Sequence, residues 1–448
     1  MSSIIQHSIS YDVDLLALHE RHPHKYPCLL ESVAHGPQGR YDILFACPQE
    51  SFQIDVNQIN QDDFLQKLDN VFSFERIYDK DESGLPFRGG WFVFLSYELA
   101  QQIEPVLDLP LKGSDLPIAA MTRVPAAVIK DHLHDRAVVV LEGGHSELLA
   151  EILADLQSAV DTPDFPCMLL NFGSLVEEDS QRYQEQLAKI HQYIVDGDVF
   201  QVNLSRLWQV ELAERDAATQ VYRRLRKSNP SPFAALLNWK NHYIISSSPE
   251  RLLSVNDGMV ETRPIAGTRP RREGDDEAQR LAELISHPKE RAEHVMLIDL
   301  ERNDLGRVCV PGSVEVNELM TLESYAHVHH IVSNVRGRLK PNTSPGEVIA
   351  AVFPGGTITG CPKVRCMEII AELEQTRRGA YTGSVGYINR NGDMDLNILI
   401  RTMTLSASGV LNFRAGGGIV VDSNLERELE ETRAKAKGMI KVLDEHLG

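Results

Sequence analysis

The sequence predicts an α+β fold, and three observations predict it. Strand-type runs of β-branched and aromatic residues are interleaved with helix-type periodicities, without the regular strand–helix alternation of a parallel sheet. The 448 residues are 42% hydrophobic and 24% charged, an ordinary globular balance, and are long enough for two or three domains. No segment reaches the ~20 consecutive apolar residues that a membrane span needs.

Taken in order, residues 28–33 and 41–46 read as strands around a Gly-Pro-Gln-Gly turn, and 91–95 as another after Gly89-Gly90. Residues 126–130 and 137–141 flank His-Leu-His-Asp as a hairpin, and 148–160 has helical amphipathicity. Asp161-Thr-Pro-Asp-Phe-Pro166 breaks the pattern, dividing an N-terminal region, 1–165, from a second region, 175–445. The second region opens with a helix over 180–196 stopped by Gly197. Strands follow at 200–210, 233–238, 243–247 and 259–263, then helix over 277–305 and a strand at 331–339. A glycine turn leads to a helix ending near 373, strands at 383–388 and 396–403, and a last helix over 425–443.

The formal charge of −19 argues against nucleic acid or an anionic membrane as the main partner. An anionic substrate must therefore find local positive charge. The first residues carry no basic stretch followed by an apolar run, and the six cysteines (Cys28, Cys47, Cys167, Cys309, Cys361, Cys366) form no CxxC pairs. Both features predict a reduced, cytoplasmic protein without a zinc site.

The densest chemical signal is Gly355-Gly-Thr-Ile-Thr-Gly-Cys-Pro-Lys363-Val-Arg365, a glycine-rich turn running into a helical pattern. Such a junction gathers free backbone N–H groups at the positive end of the helix dipole, and Lys363 adds charge there. The Gly-Lys-Ser/Thr ending of a nucleotide-phosphate loop is absent. Glu293 shares helical spacing with Met296, Leu297 and Leu300, and a carboxylate on an apolar face needs an ion pair, hydrogen bonds or a metal. The last helix places Glu428 and Glu431 one turn apart beside its apolar seam; by spacing alone they read first as a solvated acidic helix start, and second as two oxygen ligands for one cation. Gly416-Gly417-Gly418 reads as a turn that lets backbone approach a ligand, and Arg401, in an otherwise apolar strand, as a carboxylate clamp. Tyr381 precedes another glycine turn, and His330 has the titration range of a general acid.

Over residues 178–443 these strings, with Gly197-Asp-Val-Phe-Gln-Val-Asn-Leu-Ser205, Ser248-Pro-Glu-Arg251, Thr262-Arg-Pro-Ile-Ala-Gly-Thr268 and Ala292 to Val308, stand in the order found in the chorismate-utilising enzymes, which the chain resembles. That is the family of the anthranilate and aminodeoxychorismate synthase large subunits. The resemblance implies that both regions interlock into one body, a β-sandwich flanked by helices. It also implies roles. Glu293, Glu428 and Glu431 match magnesium ligands. Gly267, Thr268, Tyr381, Arg401, Gly416 to Gly418 and Lys435 match positions that hold chorismate. His330 matches a histidine near the departing hydroxyl, and Thr268 and Glu293 stand with it at the reacting centre.

Within the family, one branch aminates C2 of chorismate and eliminates pyruvate to give anthranilate, and another aminates C4 and keeps the enolpyruvyl group. The strings Gln201-Val-Asn-Leu-Ser205, Val328-His-His330, Thr382-Gly-Ser-Val-Gly386, Asp395-Leu-Asn-Ile398 and Gly416-Gly-Gly418 resemble the C4 branch, aminodeoxychorismate synthase component I of the 4-aminobenzoate and folate route. Ala266 departs from it, because that branch carries a lysine there and the anthranilate branch an alanine. Leu29-Leu-Glu31-Ser32 resembles the string that forms a tryptophan pocket in both branches. Isochorismate and salicylate synthases, and a non-catalytic binding relative, fit less well: the first also carry a lysine where Ala266 stands, and the second would be expected to lose part of the residue set. The chain lacks the Gly-x-Cys-x-Gly pattern of a glutamine amidotransferase, so the resemblance implies ammonia supplied by a separate amidotransferase subunit.

Overall fold

Strands whose two faces are both covered carry unbroken apolar runs, and the chain uses them at its centre. In Arg136–Glu142, Val138 and Val140 point into one hydrophobic cluster while Val139 and Leu141 point into another. Tyr41–Ala46 divides likewise, Ile43 and Phe45 on one side, Leu44 and Ala46 on the other. The structure, a computed structural model, describes residues 4–34, 38–78, 83–161, 170–213, 217–270, 288–324 and 328–443.

Among the described residues there are two large antiparallel sheets. The first, of twelve strands, runs Ile4–Ile9, Arg136–Glu142, Ala126–Asp131, Tyr41–Ala46, Cys28–Glu31, Phe233–Trp239, His242–Ser248, Thr402–Leu405, Val410–Ile419, Gln201–Glu211 and Gly360–Cys361, with Val176–Glu177 paired to Gln201–Glu211. The second, of ten, runs Ile265–Pro270, Val328–Arg338, Met259–Thr262, Arg251–Asn256, Met394–Asn397, Ser384–Asn389, Gly90–Leu95, Ala119–Val124 and Ser51–Ile54, with Glu315–Ser324 paired to Val328–Arg338. Phe45, Ile129 and Leu237 of the first sheet meet Phe92, Val385 and Tyr387 of the second in a shared core. The outer face of the first sheet is covered by helices Leu15–Arg21, Glu147–Asp161, Ala218–Ser228 and Leu425–Ile440, and that of the second by Phe64–Glu75, Pro288–Val308 and Pro345–Val352. The α+β class and the helix-flanked sandwich are both present. Both sequence regions build both sheets: Leu29 pairs with Leu236, and Phe94 with Val385.

Three expectations are corrected. The strand expected at 396–403 is two strands, Met394–Asn397 in the second sheet and Thr402–Leu405 in the first, because the chain crosses between the sheets at 398–401. Arg401 lies on this crossing with φ +50°, so it does not sit in a strand. Gly416 to Gly418 form no turn but lie inside Val410–Ile419, opposite Ser205, Leu204 and Asn203. The helix expected over 277–305 is seen as Pro288–Val308; its first part, like the expected boundary near 161–166, falls largely outside the described residues.

Candidate active site

The site forms where the chain twice passes from one sheet to the other. The first passage joins His242–Ser248 to Arg251–Asn256 and carries Glu250; the second is the 398–401 crossing that carries Arg401. The two passages are hydrogen-bonded together. Ile398 N–H donates to the Glu250 carbonyl (3.0 Å), Ser247 N–H donates to the Arg401 carbonyl (3.1 Å), and Ser248 Oγ donates to the Ile398 carbonyl. Glu250 N–H is held by Ser248 Oγ (3.2 Å).

Glu250 is one residue to which sequence reasoning gave no role. It is only 6% exposed, and burial pushes its carboxyl up to about 7, against the opposing pull of the Thr357 hydroxyl, the Ile265 N–H, Arg401 and Lys435. Arg401 is itself held down by burial and pulled up by Glu250. A carboxyl between proline and arginine in Ser248-Pro-Glu-Arg251 gives no periodic signal of burial. Only the crossing puts it inside.

Gly416 to Gly418 line the strand next to Lys435, and Gly416 at least is required by the backbone that approaches it. A Cβ on Gly416 would lie 2.4 Å from the Leu204 carbonyl and 2.9 Å from Tyr381 Oη, and one on Gly418 would meet Gln201 Nε2 at 2.1 Å. A Cβ on Gly417 would stand 3.4 Å from Glu431 Oε1, 3.5 Å from Glu428 Oε2 and 3.7 Å from Lys435 Nζ. Lys435 Nζ pairs with Glu431 (2.8 Å) and donates to the Gly416 carbonyl (3.0 Å), and Glu428 accepts from Ser423 Oγ (2.7 Å). The helix bearing these groups starts where the Asn424 side chain accepts from Glu426 and Arg427 N–H. Tyr381 is buried, which raises its hydroxyl to about 12, and it lies against the Arg378 guanidinium (5.6 Å).

His330 is buried in Val328–Arg338, opposite Thr268 on one side and Glu323 on the other. Gly267 sits at a register shift between Ala266 and Thr268; the side chains of 266–270 lie outside what is described. Glu293 lies half-buried on Pro288–Val308, a helix that packs on the strands of Thr268 and His330. Its neighbour His294 meets Ser333 Oγ through Nε2 (2.6 Å), and burial lowers that imidazole to about 4.

Glu428 and Glu431 offer two hard oxygen donors at one point, a chemistry that suits magnesium. Glu293 does not join them: among the described residues no three His, Cys, Asp or Glu side chains are grouped closely enough to hold a metal ion. Lys363 is not presented to an anion either, because its ammonium is paired with buried Asp304 (2.5 Å) and donates to the Val352 carbonyl (3.0 Å). The glycine turn is thus fastened to the Pro288–Val308 helix. Glu31 and Ser32 border a cavity of about 600 Å³ between the sheets, whose lining does not include Arg401. Glu31 accepts from Tyr222 Oη (2.6 Å) and Arg226 (2.9 Å), and Ser32 N–H donates to Asp42 (2.8 Å).

Glu301, also missed, lies beneath the glycine turn, its carboxylate 3.5 Å from where a Gly356 Cβ would stand. Burial, then Asp304, holds its carboxyl up at about 8 against an ordinary 4.5, with Lys363 and the Thr262 hydroxyl pulling the other way. The folded protein therefore keeps a proton that the unfolded chain releases. This stabilisation is complete below about pH 4.5 and is lost as pH rises through about 8. Glu301→Gln cannot ionise, so its stability relative to the parent should improve by a few kcal/mol between pH 5 and pH 9. Thermal unfolding at both pH values checks this, and a difference that does not change with pH would refute it.

Residues 26–441 match the model of the chorismate binding enzyme family, and the chain belongs to that family. It is 44% identical over 369 residues to aminodeoxychorismate synthase component 1 of Bacillus subtilis, covering 80% of this chain and 77% of that one. It is 37% identical over 444 residues to anthranilate synthase component 1 of Thermus thermophilus, covering 96% and 94%. The crystal structure of anthranilate synthase component I from Streptococcus pneumoniae superposes with a TM-score of 0.78 at 32% identity, covering 90% of this chain and 93% of that chain. Among the described residues no helix is long and apolar enough to cross a membrane.

Proposed function

We propose that the chain is the large subunit of an aminodeoxychorismate synthase, aminating chorismate at C4 with ammonia. The observation that carries the amination chemistry is buried Glu250, a carboxyl raised to about 7 within electrostatic reach of Arg401 and Lys435. Chorismate is a dianion, and among the described residues Arg401 would meet one carboxylate and Lys435, on exchanging its half-exposed pairing with Glu431, the other. Glu250 holds the proton that the C4 hydroxyl needs in order to leave as water. Overall, the carboxyl, chorismate and ammonia give a carboxylate, an aminated ring as its ammonium, and water. His330 and Thr268 sit on the adjoining strands and would orient the hydroxyl. Glu428 and Glu431, with Glu293 brought toward them, would hold Mg²⁺, which would supply positive charge at the ring carboxylate.

Amination at C4 is supported by the strings around Asn203, Ser384, Asn397 and Gly417 and by the Bacillus subtilis relative. A second reading, anthranilate synthase component I, is favoured by Ala266 and by the Thermus thermophilus relative. The partner in either case is a separate glutamine amidotransferase subunit that delivers ammonia, and the cavity at Glu31 and Ser32 is read as a tryptophan pocket.

Product analysis decides between the readings. The purified chain with chorismate, Mg²⁺ and ammonium at high pH should form 4-amino-4-deoxychorismate, with no turnover on glutamine alone. Adding tryptophan to the same assay reads the pocket. Release of pyruvate with anthranilate would overturn C4 amination.

A further inference from the structure

The core shared by the two sheets does not close at one end. Where Cys28–Glu31, Tyr41–Ala46 and Phe233–Trp239 of the first sheet meet Gly90–Leu95 and Ala119–Val124 of the second, an apolar cavity of about 160 Å³ opens. Buried Cys28, Phe45, Phe92, Val124 and Leu237 line its interior, and the half-buried Trp239 stands at its side. It shares no lining residue with the cavity at Glu31, and neither Glu250 nor Arg401 borders it. An apolar space of this size holds about one benzene ring.

The polar groups at this cavity are all suited to an anion. Ser51 and Thr122 stand opposite each other in paired strands of the second sheet, and their hydroxyls are 2.9 Å apart. Only one hydroxyl hydrogen is used between them, so the pair always keeps one to donate. Lys240, on the turn after Phe233–Trp239, reaches across from the first sheet to Gln53 of the second, donating to its Oε1 (2.8 Å). Its ammonium lies 5.8 Å from the Trp239 ring. Gln53 is neutral and leaves that charge uncompensated. His24 also borders the cavity, whereas no described Asp or Glu does, in a chain of formal charge −19.

We propose that this cavity binds a monocyclic aromatic carboxylate, its ring packed against Phe45, Phe92 and Trp239 and its carboxylate between Lys240 and the Ser51–Thr122 hydroxyls. Anthranilate and 4-aminobenzoate belong to this class, which makes the cavity a sensor of the aromatic acid to which the reaction leads. Only that choice of acid rests on the amination reading; the slot and its charge do not.

Benzoate is the probe, titrated into the full chain by calorimetry and by tryptophan fluorescence. Trp91 and Trp208 are sealed in other clusters, so quenching reports on Trp239. Benzoate should bind with a Kd on the order of 1 mM or tighter. Lys240→Met should weaken it about fivefold, the upper worth of an exposed charge pair, and leave neutral benzyl alcohol unchanged. Cys28→Leu fills the floor and should abolish binding of both; where it fails to fold, the exposed Lys240→Met carries the test. No binding of benzoate at millimolar concentration, binding that survives Cys28→Leu, or indifference to Lys240→Met would each overturn the site. Competition then separates the acids: displacement of benzoate by 4-aminobenzoate or by anthranilate supports that one as the ligand, and displacement by neither overturns the sensor role.

Discussion

Glu250→Gln should lower kcat by about 10²- to 10⁴-fold, the usual worth of a positioned general acid, and leave the fold intact. The amide keeps the shape and can still meet Thr357 and the Ile265 N–H, but it cannot release a proton. Folding should tolerate it well, since a carboxyl raised to about 7 costs stability once it ionises, and glutamine avoids that cost. The pH profile gives a second readout. Where the reaction needs the protonated carboxyl, chorismate kcat/KM at saturating ammonia should fall as pH rises past about 7. In the glutamine variant that limb should disappear, leaving only a low, flatter rate. A variant with near-normal kcat would show that the proton comes from elsewhere, and His330 would then be the next group to replace.

The second large effect concerns the acidic pair above Gly417. Removing divalent ions with a chelator should abolish turnover, and Mg²⁺ should restore it. Glu431→Gln should lower the rate on the order of 10²-fold or more and raise the Mg²⁺ concentration needed for half-activity. Its stability should change little, because Glu431 is half-exposed and its bond to Lys435 is a surface pair worth roughly 0–1 kcal/mol. Gly417→Ala places a methyl in ordinary contact with both carboxylates and the Lys435 ammonium, at 3.4 to 3.7 Å, so it should leave the protein folded while narrowing the approach to the pair. Full activity after chelation would dismiss a metal requirement.

Periodicity made the interior strands legible. The 41–46 run and the 126–130 and 137–141 hairpin appear as Tyr41–Ala46, Ala126–Asp131 and Arg136–Glu142, because alternating Val, Ile, Leu and Ala fill two covered faces. That Glu428 and Glu431 stand one turn apart was legible from helical spacing; their approach to Gly417 was not, because it depends on how the last helix packs on a strand. Glu250 and Arg401 were harder for a common reason. Both stand on passages between sheets, where neither a period of two nor one of 3.6 applies, and their burial comes from strands distant in sequence. The 396–403 run looked continuous because Leu396, Ile398 and Leu399 are all buried, yet they belong to different surroundings on either side of the crossing. Lys363 misled for a different reason: its partner Asp304 lies on a helix that no local pattern connects to the glycine turn.

The pairing of Cys28–Glu31 with Phe233–Trp239, and of Gly90–Leu95 with Ser384–Asn389, has a consequence for biosynthesis. On the ribosome the first strand is complete about 200 residues before its partner emerges, and the Ser384–Asn389 partner of the Trp91 strand comes later still. At typical synthesis rates of about 5–20 residues per second, these edges wait on the order of ten seconds or more in an unpaired state. Such long-range pairing is slow to form and exposes sticky strands meanwhile. The second sheet cannot be completed before the Ser384–Asn389 strand has emerged.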